Sequence, residues 1–128
     1  MQGQVSFNYS DHDGFYRLGD GNAAFLTRGC KASNTSIHCY RDSTNLNLAL
    51  APAGTQLRDI ADASLLNYTS RVRTPQTGQF VVFENHCGRY AAARIDKVED
   101  YTRGDAVDRL TLTYWILENG SDDFSILS

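Results

Sequence analysis

Phe80-Val81-Val82-Phe83-Glu84-Asn85-His86-Cys87-Gly88-Arg89-Tyr90-Ala91-Ala92-Ala93-Arg94-Ile95 and, after a polar connection, Arg109-Leu110-Thr111-Leu112-Thr113-Tyr114-Trp115-Ile116-Leu117 decide the reading of the fold. Phe80–Phe83 is an apolar, β-favouring run, and Asn85-His86-Cys87-Gly88 supplies the glycine that a hairpin turn needs at positive φ. The chain is therefore predicted to fold straight back through Tyr90–Val98. In the third segment Leu110, Leu112, Tyr114 and Ile116 alternate with Thr111, Thr113, Trp115 and Leu117. Both sets are apolar, aromatic or β-branched, as in a strand covered on both faces. An apolar second face needs a cover, either the N-terminal strands or another subunit.

Working outward, Gln4–Tyr9 alternates Val5, Phe7 and Tyr9 with Ser6 and Asn8 and reads as a strand, broken by Asp11-His12-Asp13-Gly14. Phe15–Leu18 and Ala23–Thr27 complete an expected N-terminal meander. Ile37–Tyr40 and Asn45–Leu50 are further strands, with Ile37 and Cys39 on one face and His38 and Tyr40 on the other. Leu57, Ile60, Ala61 and Leu65 fall on one helical face behind Thr55 as N-cap, which predicts a short helix over Gln56–Leu65. Phe124–Leu127, after the Asn119-Gly120 turn, is expected to return as an edge strand. The class is mainly β, an antiparallel small barrel or sandwich with one short helix. The runner-up is an α+β roll with a longer helix around Asp59–Tyr68.

At 128 residues the chain is expected to be a single domain, residues 1–128. Its 41% hydrophobic and 21% charged residues are those of an ordinary globular protein, and a net charge of -3 argues against nucleic acid as a general partner. No segment has the apolar length of a membrane helix and the N-terminus has no basic-then-apolar pattern, so a cytoplasmic protein is expected. The odd set Cys30, Cys39 and Cys87 fits reduced thiols rather than a disulfide framework. The four Asn-x-Ser/Thr triplets, beginning at Asn8, Asn34, Asn67 and Asn119, read as chance in such a protein.

Three constellations carry candidate chemistry. His38-Cys39 and His86-Cys87, with Cys30, supply soft ligands or a thiol and an imidazole. Adjacent strand residues point to opposite faces, however, which suits shared zinc coordination poorly; a catalytic cysteine needs its histidine adjacent in space, and buried structural cysteine is the bland alternative. The turn Asp11–Gly14, near Asp20, lacks the alternation and terminal Glu of a calcium loop and reads as solvated. No metal and no cofactor is expected. Ten of the twelve basic residues are Arg, and six of these fall in the second half. If the Arg71/Arg73 strand borders the central hairpin, Arg71, Arg73, Arg89 and Arg94 gather beside Tyr68, Tyr90 and Tyr101, the residue types of an interface anchor or anion platform. Otherwise they are a solvated face.

The phrases Gly78–Ile95 and Arg103–Tyr114, with Phe25-Leu26-Thr27-Arg28 and Ser36–Tyr40, resemble an uncharacterised bacterial β-rich module. Such modules occur alone, among orphan genes of mobile elements such as integron cassettes, or appended to TIR-type signalling domains. The resemblance implies an accessory or sensing module and transfers no active-site residue. The expected function is a non-enzymatic binding or interaction module for a small molecule or protein partner, with a homodimer open. Its binding residues are expected to be Arg71, Arg73, Arg89, Tyr90, Arg94 and Trp115. The alternatives are a small hydrolase or transferase using Cys87 or Cys39 with a histidine, and a single-strand nucleic-acid platform.

Overall fold

Nine strands run through the described residues: β1 (Gln2–Phe7), β2 (Phe15–Leu18), β3 (Phe25–Lys31), β4 (Ile37–Tyr40), β5 (Asn47–Leu50), β6 (Val72–Arg73), β7 (Phe80–Glu84), β8 (Tyr90–Glu99) and β9 (Arg109–Leu117). The structure is a computed structural model that describes residues 1–42 and 44–127. The strands form two antiparallel sheets, one ordered β1-β9-β8-β7-β5 and the other β2-β3-β4-β6. Neither sheet closes on itself, so of the two expected architectures the protein adopts the sandwich.

The central hairpin is as the alternation predicts. β7 pairs with β8 from Phe80↔Arg94 to Glu84↔Tyr90, and β8 with β9 from Tyr90↔Leu117 to Glu99↔Arg109, with one bulge between Ile95 and Lys97. Gly88 takes φ +75 at the turn. The turn's organiser is Asn85, which is buried. Its Oδ1 accepts from the backbone N–H groups of Cys87 (3.0 Å) and Arg89 (2.9 Å), while its Nδ2 donates to the carbonyls of Asn22 (2.8 Å) and Ala24 (3.2 Å). One side chain thus shapes the hairpin and fastens it to the β2–β3 connection, with its amide's hydrogen-bonding capacity filled.

Between the sheets, Leu18, Phe25, Ile37 and Cys39 of the smaller sheet pack on Leu48, Val81, Phe83, Ile95, Leu112 and Ile116 of the larger. β1 is not part of an N-terminal meander, because it pairs with β9, from Gln2↔Trp115 to Phe7↔Leu110. Phe7 nonetheless stacks on Tyr16 at 4.2 Å and ties β1 to β2 across the core.

The outer face of the larger sheet carries a second core, in which Phe80, Val82, Tyr90, Ala92, Trp115 and Leu117 lie under Ala51, Leu57, Ile60, Ala63 and Phe124. The cover comes from this chain itself, from the segment after β5 and from the C-terminal residues. That segment is not the expected helix over Gln56–Leu65. It consists of two 3₁₀ turns, Leu57–Asp59 and Ala63–Leu65. Leu57, Ile60 and Ala63 are buried, a repeat of three that suits a 3₁₀ geometry, whereas Ala61 and Leu65 face solvent. The main-chain groups a helix would use are engaged elsewhere. The Ile60 carbonyl accepts from the Phe124 N–H (2.8 Å), and the Ala63 N–H donates to the Asp122 carbonyl (2.7 Å). For the same reason Phe124–Leu127 is not an edge strand. It docks as a tail ending in a 3₁₀ turn, Ser125–Leu127. No helix among the described residues is long and apolar enough to cross a membrane.

Candidate functional site

A concavity of about 400 Å³ is bounded by the Tyr9–Gly14 connection, β3 from Arg28 to Lys31, and the chain at Tyr40 and Asp42. Its wall is built by an unusual turn, in which His12, Asp13 and Gly14 have φ of 52, 55 and 83. The turn lies so close to β3 that a Cβ on Gly14 would sit 2.0 Å from the Gly29 carbonyl oxygen. Two non-glycine residues in the left-handed region cost on the order of 1 kcal/mol each, and such strain concentrates at ligand clamps.

Two charged groups in the cleft are already paired. Asp42 is held by both arms of Arg71, at 3.1 and 2.6 Å. Lys31 bridges Asp100 (3.2 Å) and Asp108 (3.3 Å). Asp100, whose side chain is fully buried, also accepts from Thr102 and from Arg103. Arg28, like the Asp13 carboxylate that also lines the cleft, is an exception. Its guanidinium lies 5.1 Å from the centroid of the Phe15 ring and its Nε donates to the Asp13 carbonyl (3.2 Å), but it makes no ion pair among the described residues. Cys30 is exposed beside it, next to Tyr40.

Five titratable groups in and beside the cleft are shifted away from neutrality. Burial, then Asp108, raises the Tyr9 phenol, and burial, then Cys30, raises Tyr40. Hydrogen bonds from Arg71 lower Asp42, and hydrogen bonds from the Ser10 hydroxyl and the Tyr101 N–H lower Asp108. Partial burial works against the charge of Lys31, but Asp100 and Asp108 outweigh it and the pKa rises.

The six residues expected to bind do not form one patch. β6 pairs with β4 (Cys39↔Arg73, Tyr40↔Val72) and not with the central hairpin. Arg71 is committed to Asp42, and Arg73 donates to the Asn67 carbonyl (2.8 Å). Arg89 turns back on the Glu118 carbonyl (3.0 Å) at the hairpin end. Tyr90 is core: it is buried beside Tyr68 and donates to Glu84 Oε2 (2.8 Å), and burial followed by that contact pushes its phenol up to about 12. Tyr90 shares the second core with Trp115, and Arg94 lies over Trp115, with the guanidinium carbon 5.5 Å from the ring centroid. Trp115 is only 7% exposed.

The cysteines occupy three separate places. Cys39 is in the core, where burial pushes its thiol up to about 12. Cys87 is at the hairpin tip, 3.8 Å from Asn22 Oδ1, and Cys30 is in the cleft. Among the described residues no three His, Cys, Asp or Glu side chains converge as a metal site.

Sequence reasoning missed Arg28, Lys31 and Tyr40. It singled out the Asp11–Gly14 turn and Cys30 separately, and those were the available signals. No protein-family model, no curated protein and no solved structure matches the chain.

Proposed function

We propose that this chain is a non-enzymatic binding module of bacterial type whose cleft takes a small polar molecule through an anionic group. The observation that carries the reading is Arg28, a guanidinium without an ionic partner among the described residues, facing a concavity of ligand size. Binding is favoured over catalysis because acid–base catalysts are tuned toward the working pH, whereas Tyr9, Tyr40, Lys31, Asp42 and Asp108 all move away from it. Burial of Cys39 likewise withholds that thiol from nucleophilic work.

Cys30 provides the assay, because it lies in the cleft. Its alkylation is followed by peptide mapping with anionic iodoacetate and neutral iodoacetamide, in the native protein and in Arg28→Ala. One cation at about 4 Å in water amounts to roughly 1 kcal/mol, or about fivefold in rate. Arg28→Ala therefore slows iodoacetate at Cys30 about fivefold and leaves iodoacetamide unchanged. Citrate and inorganic phosphate, as competing anions, protect Cys30 only when Arg28 is present. Equal effects on both reagents, with no protection, would refute the reading.

A further inference from the structure

A second concavity, of about 240 Å³, opens on the outer face of the larger sheet where the covering segments stop. We infer that it is an independent binding site for a compact anion with an apolar body, such as an aromatic ring bearing a carboxylate or phosphate. The floor is apolar: Trp115 packs against Phe80 at 5.7 Å between ring centroids, with Leu57 alongside. The mouth carries two arginines, Arg58 and Arg94, and among the described residues no acidic side chain lines it.

The arginines play different parts. Arg94 is fixed in place, since its Nε donates to Asp96 Oδ1 (2.8 Å) and its Nη2 to Thr113 Oγ1 (3.3 Å) while its plane lies over Trp115. Asp96 is itself held by Thr113 (2.6 Å) and Gln4 (3.2 Å), so the guanidinium is preorganised and its Nη1 has no partner among the described residues. Arg58 stands exposed on the Leu57–Asp59 turn and makes no ion pair among the described residues. Among the described residues the mouth thus holds one positive charge with no ionic partner, Arg58, above an aromatic floor. Inorganic phosphate would gain the charge but leave the floor uncovered, and a neutral ring would gain only the floor. A ring joined to an anion gains both.

Trp115 is the only tryptophan in the chain, so intrinsic fluorescence reports directly on this floor. The probes are benzoate and phenyl phosphate, with inorganic phosphate and benzyl alcohol as the two half-ligands. The expected result is a saturable change in Trp115 emission with either whole probe, at least tenfold weaker binding of each half-ligand, and a roughly fivefold loss of affinity for the whole probes in Arg58→Ala, which is an exposed change that leaves the thermal melt in place. Collisional quenching that rises linearly without saturation overturns the inference. So does equal binding of a half-ligand, or unchanged affinity in Arg58→Ala. Arg28→Ala is expected to leave this titration unchanged, which keeps the site's test separate from that of the cleft.

Discussion

Phe124→Ala tests whether the chain covers its own outer sheet face. Phe124 is 0% exposed, packed among Trp115, Leu117 and Tyr90, and its N–H reaches the Ile60 carbonyl at 2.8 Å. Removing a buried phenyl ring costs about 3–5 kcal/mol through lost transfer energy and the cavity left behind. If the tail then lifts away, its main-chain bonds to Ile60 and Ala63 are also lost, at about 1 kcal/mol each. A domain of this size has only about 5–15 kcal/mol in total, so the variant forfeits a third of its stability or more. At about 3–5 °C per kcal/mol, loss of the ring alone lowers the melting temperature by about 10–25 °C.

The control lies two residues on. Ile126 is 65% exposed, and Ile126→Ala should stay within about 0.5 kcal/mol of the parent. Urea melts of both variants, read through Trp115 emission, separate the cases. If Phe124→Ala costs less than about 1 kcal/mol, or no more than Ile126→Ala, the tail is not the cover. A melting temperature that rises with protein concentration would then identify a second copy as the cover instead.

Two further outcomes follow from local geometry. Gly14→Ala and Gly88→Ala both place a side chain at positive φ, but only Gly14 meets backbone, with Gly29 O at 2.0 Å, whereas nothing lies within 4 Å at Gly88. Chemical denaturation should therefore show about 1–2 kcal/mol lost at Gly88, from strain alone, and a distinctly larger loss at Gly14. Asp100 gives a pH signature: burial pushes its pKa up, but hydrogen bonds from Thr102, Arg103 and Lys31 overcome this and hold it well below the usual range. Because the folded pKa is depressed, the stabilisation is present above the unfolded value near pH 4 and is lost as pH falls below it. Asp100→Asn should be clearly less stable at pH 7, with the gap to the parent narrowing in melts taken below about pH 4; a gap that is constant with pH contradicts this.

The parts of the fold legible in the sequence are those decided by period-two alternation. In β9 the Leu110, Leu112, Tyr114 and Ile116 set faces the inter-sheet core, while Trp115 and Leu117 face the second core. Two apolar faces were visible, and so was the need for a cover. What supplies it was not legible, because Leu57, Ile60 and Ala63 at intervals of three satisfy a helix and a string of 3₁₀ turns almost equally well. The choice is made by Phe124 and Asp122, some sixty residues away, which take the main-chain partners of Ile60 and Ala63. Long-range competition of this kind leaves no local pattern. Asn85 is similar: it reads as a turn residue, but its bonds to Asn22 and Ala24 depend on how the sheets stack.

The candidate sites were less legible than the fold, for an electrostatic reason. Ten arginines look alike in a sequence, and their concentration in the second half drew attention to Arg71, Arg73, Arg89 and Arg94. An arginine's capacity to bind depends on the charge left after its neighbours are satisfied, and that is a property of the folded chain. Arg71 is neutralised by Asp42, Arg103 by Asp100, and Arg109 approaches Glu99 at 3.5 Å. Arg28 and Arg58 stand outside such pairs, and each borders a concavity at a place where the cover of a sheet stops. With both faces of the larger sheet buried by the chain's own segments, the proposed recognition falls at these two margins and not on the broad β surfaces. The single exposed thiol in one and the single tryptophan in the other allow each to be read without a label.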